Sequence, residues 1–348
     1  MMEDKDKMGK ECLLGKTLEE LRELCLGMGM PKFAAKQIAD WIYVKHITTI
    51  DEMTNLSKAN RDKLNEHYRV GRYAPSYVSK SKDGTKKYLF KVEDDRYVET
   101  VMIPDRDRVT VCISSQVGCK MNCLFCMTGK QGFHGNLKAS DILNQLFSID
   151  EVEEITNIVY MGMGEPLDNT NEVIRSIKPL VEEWGMAMSP KRITLSTIGV
   201  RDGLERYLNE TSCHLAISIH NPFPDERKAL MPSETAFPIE ETIERLKAAD
   251  FTGQRRLSFE YIVFGGLNDT EEHMRRMGRL LQDVPCLVNL IRYHRIPNID
   301  LPSTNEERLE RFKLGLERKG LNVTIRQSRG QDIEAACGML SAQEGRDK

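Results

Sequence analysis

Residues 112–129 read CISSQVGCKMNCLFCMTG and hold four of the chain's nine cysteines. Cys119, Cys123 and Cys126 stand in C-x3-C-x2-C spacing, which lets one loop present three thiolates to a metal centre. Three thiolates hold three irons of a [4Fe-4S] cluster and leave the fourth iron open to another ligand. The alternative is a structural zinc site, which needs a fourth protein ligand, with His134 or Cys112 as the candidate. An odd set of nine cysteines suits metal or thiol chemistry in a reducing compartment better than a disulfide framework. Cys12, Cys25, Cys213 and Cys286 have no neighbouring motif and are read as packing residues.

Further polar candidates recur at the ends of apolar runs. Gly164 and Glu165 stand in VYMGMGEPLDN, where the G-x-G-x-x-G spacing of a dinucleotide loop fails at Leu167. Ser196 ends TLSTIG, and Ser218, Ile219 and His220 end AISIHNP. Taken singly, each is an ordinary strand-end group. Glu99 lies in the apolar run YVETVMIP, where burial would raise its pKa and where the bland reading is a solvated strand face.

These residues need elements to hold them. From Thr17 to about Tyr68 the pattern is helical: Thr17 and Glu20 form a capping box, Leu18, Leu21 and Cys25 share a face, and Ile38, Trp41 and Ile42 form a second stripe. After Pro75 come short strands and an Asp83-Gly84 turn, a lysine-bearing hairpin expected to be exposed. Beyond the cysteines, strand-like and helix-like segments alternate, from ITNIVYM and NEVIRSIKPLVEEW to VTIRQ and QDIEAACG. The fold class is therefore α/β, a complete or partial barrel whose strand ends carry the site. The expected divisions are an N-terminal helical accessory domain (1–74), a β-hairpin extension (75–108), the barrel with its C-terminal cysteine segment (109–340) and a flexible tail (341–348).

The cysteine triple, with Phe125 before its last member, resembles the signature of the radical S-adenosylmethionine (SAM) superfamily. That resemblance implies a partial (β/α)6-type barrel. It also implies a [4Fe-4S] cluster whose open iron binds the amino and carboxylate groups of SAM, and whose electron cleaves SAM to methionine and a 5′-deoxyadenosyl radical. The blocks CISSQVGC, GKQGFHGNLKASDILNQ, MGMGEPLDN, ITLSTIG, SIHNPFPDERKALMP and DIEAACGML narrow it further. Together they resemble the RlmN/Cfr family of RNA adenine methyltransferases. Pro166, where Cfr-type sequences tend to have alanine, favours methylation at adenine C2 over C8.

By that resemblance Cys337 is the methyl-accepting cysteine, Cys112 the thiol that resolves the RNA adduct through a transient disulfide, and Glu99 the base. Gly164, Glu165, Ser196, Ser218, Ile219 and His220 contact SAM, of which two are used per turnover. The implied targets are an adenosine in the peptidyl-transferase loop of 23S rRNA and the adenosine 3′ of the tRNA anticodon, with a flavodoxin-like electron donor. One position departs: NLIRYHRIP places His294 where the family has a SAM-contacting asparagine, and imidazole cannot copy an amide that donates and accepts from one planar group.

Charge is consistent with a localised RNA contact. The chain carries −3 overall, but residues 1–92 hold 18 Lys+Arg against 13 Asp+Glu, leaving −8 for the remainder. The N-terminal helices and Lys80, Lys82, Lys86 and Lys87 are the candidate gripping surfaces. The absence of an apolar leader or membrane-length run leads us to expect a cytoplasmic protein with no membrane partner, and a monomer. A zinc-stabilised RNA-binding module without activity is the rival reading from a different class.

Overall fold

The computed structural model describes residues 9–92, 95–251 and 255–341; the charged opening (1–8) and residues 342–348 of the expected tail lie outside them. Thr17 caps the first helix, α1 (Leu18–Gly27), as expected: its hydroxyl accepts the Glu20 N–H at 3.3 Å, and the Glu20 carboxylate accepts the Thr17 N–H at 2.7 Å. The exchange satisfies two donors that a helix end otherwise leaves open. Leu18, Leu21 and Cys25 pack into one core with Ile38 and Ile42 of α2 (Ala34–Tyr43), while Trp41 stays half-buried. A third helix, α3 (Lys58–His67), buries only Leu64.

Ten strands then form one sheet, arranged from edge to edge in chain order. They are β1 (Tyr77–Lys80), β2 (Lys86–Lys91), β3 (Tyr97–Asp105), β4 (Arg108–Cys112), β5 (Asn157–Tyr160), β6 (Ile193–Thr197), β7 (His214–Ser218), β8 (Leu257–Val263), β9 (Leu287–Arg292) and β10 (Asn322–Ile325). β1 to β4 pair antiparallel, and β4 to β10 pair parallel. Helices α4 (Ala139–Phe147), α5 (Thr170–Val181), α6 (Arg201–Glu210), α7 (Ile239–Ala248), α8 (Glu271–Leu280) and α9 (Glu306–Glu317) separate the parallel strands. β4–α4 through β9–α9 make six β-then-α units, and the edge strands β1 and β10 do not pair with each other, so the barrel is partial. β8 is buried along its whole length, as a strand covered on both faces must be. The hairpin continues the barrel sheet through β3 and β4, where Val101 lies opposite Cys112.

Arg175 of α5 donates to the Gly15 carbonyl at 2.8 Å and to Glu20 at 2.9 Å, joining the N-terminal helices to the barrel. Among the described residues no helix is long and apolar enough to cross a membrane.

Two expectations change. QDIEAACG is not a helix: a single 3-10 turn (Gln331–Ile333) is bounded by Gly330 and Glu334, both left-handed with φ of 61° and 53°. A left-handed residue at each end stops helical propagation, so Cys337 lies on an irregular, exposed segment. The lysine hairpin is exposed only in part. Lys80 and Lys82 face solvent, but Lys86 pairs with Glu151 and Lys87 pairs with Glu99 at 3.0 Å, so two of the four proposed gripping lysines are already neutralised.

Candidate active site

A cavity of about 200 Å³ opens at the C-terminal ends of the parallel strands, the face where barrel folds carry their chemistry. The cysteine loop forms one wall, held between two short paired strands, Gln116–Gly118 and Phe133–Asn136. Gly118 makes the tight approach possible: its φ is +71°, and a Cβ there would fall 1.8 Å from the Gly132 carbonyl oxygen. Phe125 is buried with its ring edge against His220, at 4.9 Å between centroids.

Cys119, Cys123 and Cys126 all line the cavity, and none is in a disulfide. Burial pushes the Cys119 thiol up to about 12 and Cys123 well above its ordinary value, so without a cation these two thiols stay protonated. A bound metal centre reverses that preference, because its ligands must be thiolates. The donor set therefore fits an iron–sulfur cluster held at three corners. Neither fourth ligand expected for zinc is committed to the triple: His134 is exposed with Nε2 against the Gln131 carbonyl, and the thiol that Cys112 faces is Cys337. Among the described residues, no three such side chains converge tightly enough to chelate a single ion.

The strand-end residues come together as a second wall. Gly164 has φ +97°, and a Cβ there would lie 2.6 Å from the Gln116 Cβ, so only glycine fits without displacement. The buried Glu165 carboxylate accepts from Thr197 Oγ1 at 2.6 Å and from the N–H groups of Ile198 and Leu167, both at 3.0 Å. Burial raises its pKa to about 7 despite those bonds. Ser196 and Ser218 face the cavity with hydroxyls 3.4 Å apart. His220 accepts the Ile262 N–H at Nδ1 (3.0 Å), and burial followed by the Arg227 charge pushes it down to about 3, so it is neutral near pH 7.

Two expected contacts are not brought in. Ile219 is core, and its N–H donates to the Glu260 carbonyl at 3.1 Å. His294 lies just past the end of β9, where its Nε2 meets Ser328 Oγ at 2.9 Å in an adjoining outer pocket.

Cys112, the last residue of β4, and Cys337 both line the cavity, with their sulfurs free. Burial, then the neighbouring Cys337, pushes Cys112 up to about 12. The Cys337 segment is tied on its far side: the Met127 N–H donates to the Gly338 carbonyl and Thr128 Oγ1 to the Leu340 carbonyl, both at 2.8 Å. The Ser341 N–H donates to Glu99 at 2.8 Å, so Glu99 is buried and paired rather than solvated, and it does not line the cavity.

The sequence reading missed Arg326, which lines the cavity beside both thiols and pairs with buried Glu260 at 3.3 Å. Burial works against its charge, but Cys337, Glu260 and Cys112 outweigh burial and raise its pKa. The available signal was its place at the end of the run VTIRQ, on the same edge as the other polar groups.

A partial barrel with three thiols on the loop after its first parallel strand, and polar groups at the strand ends that follow, defines a radical SAM protein. Residues 113–279 match the family described as "Radical SAM superfamily", and residues 12–70 match the "Ribosomal RNA large subunit methyltransferase N-terminal domain". A relative from Porphyromonas gingivalis strain W83, "Probable dual-specificity RNA methyltransferase RlmN", is 62% identical over 94% of this chain and 96% of its own. The "Dual-specificity RNA methyltransferase RlmN" of Syntrophus aciditrophicus is 39% identical over 95% of this chain and 97% of its own. A solved structure, a radical SAM methyltransferase from Sphaerobacter thermophilus, superposes with a TM-score of 0.89 at 37% identity, covering 95% of this chain and 99% of that one. The chain belongs to the RlmN family of the radical SAM superfamily.

Proposed function

We propose that this protein is a SAM-dependent methyltransferase acting on C2 of adenine in RNA, using a cysteine-borne methyl group. The observation that carries the reading is the placement of two free thiols, Cys112 and Cys337, on the same cavity as the Cys119, Cys123 and Cys126 triple. Those three cysteines would hold the [4Fe-4S] cluster; with it bound, reductive cleavage of SAM to a 5′-deoxyadenosyl radical becomes available. Gly164, Glu165, Ser196, Ser218 and His220 would orient SAM against it, and Phe125 and the apolar walls keep water out.

Adenine C2 lies between two ring nitrogens and is too electron-poor to attack a methyl sulfonium, so the methyl group must ride on the protein. Cys337 is the carrier, exposed enough to meet RNA and open enough to the cavity to be methylated. Once the S-methyl group has given a hydrogen atom to the 5′-deoxyadenosyl radical, that carbon bonds to C2, and the one electron the adduct must lose would be taken up by the cluster held by Cys119, Cys123 and Cys126. Glu99 is the proposed acceptor of the C2 proton, once the Ser341 N–H that now occupies one of its oxygens moves away, the other oxygen staying paired with Lys87. Cys112 then bonds to the Cys337 sulfur as the sulfur–carbon bond breaks, and the proton given up by the Cys112 thiol goes to the departing methylene carbon, giving the methylated base and a transient disulfide.

The proposed substrates are 23S rRNA and tRNA, gripped by the N-terminal helices (1–74), with the target base flipped into the cavity. A flavodoxin-like donor supplies electrons, and a cytoplasmic monomer acting where these RNAs reside is the expected form. Digestion of rRNA and tRNA methylated by the reconstituted enzyme, followed by mass spectrometry and chromatography, tests the reading. It requires 2-methyladenosine; 8-methyladenosine, or no methylated base, overturns it.

A further inference from the structure

We propose that the outer pocket beside Cys337 seats the RNA phosphates next to the target nucleotide, with Arg106 and Arg329 as their ligands. The proposal rests on RNA being the substrate.

The pocket has a volume of about 460 Å³ and shares Cys337 and Arg326 with the inner cavity, so it is the antechamber on the carrier's solvent side. Four arginines line it, Arg106, Arg108, Arg326 and Arg329, against one carboxylate, Asp105. That carboxylate is shared by Arg108 at 3.1 Å and Arg329 at 3.7 Å, while Arg326 is committed to Glu260. Arg106 sits exposed in the β3–β4 turn with φ +54° and has no carboxylate within ion-pair distance among the described residues. This surplus of positive charge occurs in a part of the chain that is −8 overall, so general composition does not account for it.

The two compartments differ in what they can receive. The inner one is walled by Val101, Ile262, Ile291 and other apolar groups and suits a flat base. The outer one suits the charged backbone that a flipped base leaves behind. Arginine presents a planar fork that matches phosphate oxygens two at a time, which a lysine does not. A nucleotide entering past Cys337 would place its base inward and its flanking phosphates on this rim.

The test uses the reconstituted full-length enzyme with wild type, Arg106→Gln, Arg106→Gln/Arg329→Gln and Arg106→Lys/Arg329→Lys. RNA methylation is measured over a salt series, and Cys337 methylation without RNA, read by intact mass, reports that the protein is folded and loaded. For the double glutamine variant we expect KM for RNA to rise roughly 10-fold and the log KM against log salt slope to fall by about 1 per lost phosphate contact, with kcat little changed. The lysine pair should recover most of the slope and less of the affinity. Unchanged KM and slope in variants that still methylate Cys337 would overturn the proposal. So would a loss that vanishes when dithionite replaces the protein reductant, since the rim would then receive an acidic electron donor. Wild-type enzyme that methylates Cys337 but no RNA would instead overturn the functional reading beneath it.

Discussion

Asp83 and Gly330 meet across 247 residues of chain, the Asp83 carboxylate accepting the Gly330 N–H at 3.0 Å. Its other oxygen accepts the Thr85 N–H, also at 3.0 Å. Asp332 answers from the opposite side by accepting the Ser81 hydroxyl and the Lys82 N–H. Each turn therefore caps the other. The β1–β2 turn fixes where the Cys337 segment begins its path across the barrel mouth, and the Met127–Lys130 helix and Glu99 fix where it ends.

Breaking that contact should misplace Cys337, the proposed carrier, without disturbing the loop of Cys119, Cys123 and Cys126. Asp83→Ala removes two charge-assisted hydrogen bonds, a class worth about 1.5–3 kcal/mol each in net terms and less at an exposed carboxylate such as this one. The expected result is slower methylation of Cys337, with iron and sulfide content unchanged. Partial burial opposes ionisation of Asp83, but the bonds from Gly330 and Thr85 win and hold its carboxyl well below the usual range. A depressed pKa gives stability that is complete above the ordinary carboxylate range and lost as pH falls below it. The variant should accordingly lose the part of the acid-induced Tm decrease that Asp83 causes, as measured by thermal melts across pH.

The two thiols proposed as catalytic, Cys337 and Cys112, should fail differently. Cys337→Ala should abolish RNA methylation while the protein still assembles its cluster; retained methylation would point to another carrier. Cys112→Ala should allow bond formation to the base but not its release. A covalent protein–RNA species resistant to denaturing gels should then accumulate, and its absence would remove Cys112 from the resolving role.

Glu165 predicts an opposite pH trend in the cluster-free protein. Burial raises its pKa to about 7, so between the unfolded carboxylate value and that point the folded state holds a proton the unfolded chain has released. Stability should therefore fall as pH rises through this window, by on the order of 3 kcal/mol in total. Glu165→Gln should flatten that slope in chemical denaturation. An unchanged slope would place the titration elsewhere.

What could be read without coordinates was local. The capping box of Thr17 and Glu20, the C-x3-C-x2-C loop and the alternation of strand and helix depend on neighbours a few residues apart. Because barrel strands deliver their ends to one face, that alternation also gathered Glu165, Ser196, Ser218 and His220. Pairings across the chain were not legible: Asp83 with Gly330, Lys87 with Glu99, Arg326 with Glu260. Nothing near Lys87 in sequence shows that a glutamate on the next strand will neutralise it. His294 was placed by its match to the family's SAM-contacting asparagine, but β9 ends at Arg292 and the imidazole meets Ser328 instead.

The bonds from Arg175 to Gly15 and Glu20 have one more consequence, for how a substrate is chosen. They give the helices of residues 18–67 and the barrel mouth a shared frame, with α5 as the common beam. If those helices grip RNA, the molecule works as a caliper with one jaw at the grip and the other at Cys337. Two RNAs with unrelated sequences would then qualify equally, provided each holds an adenosine at the same span from a helical stem.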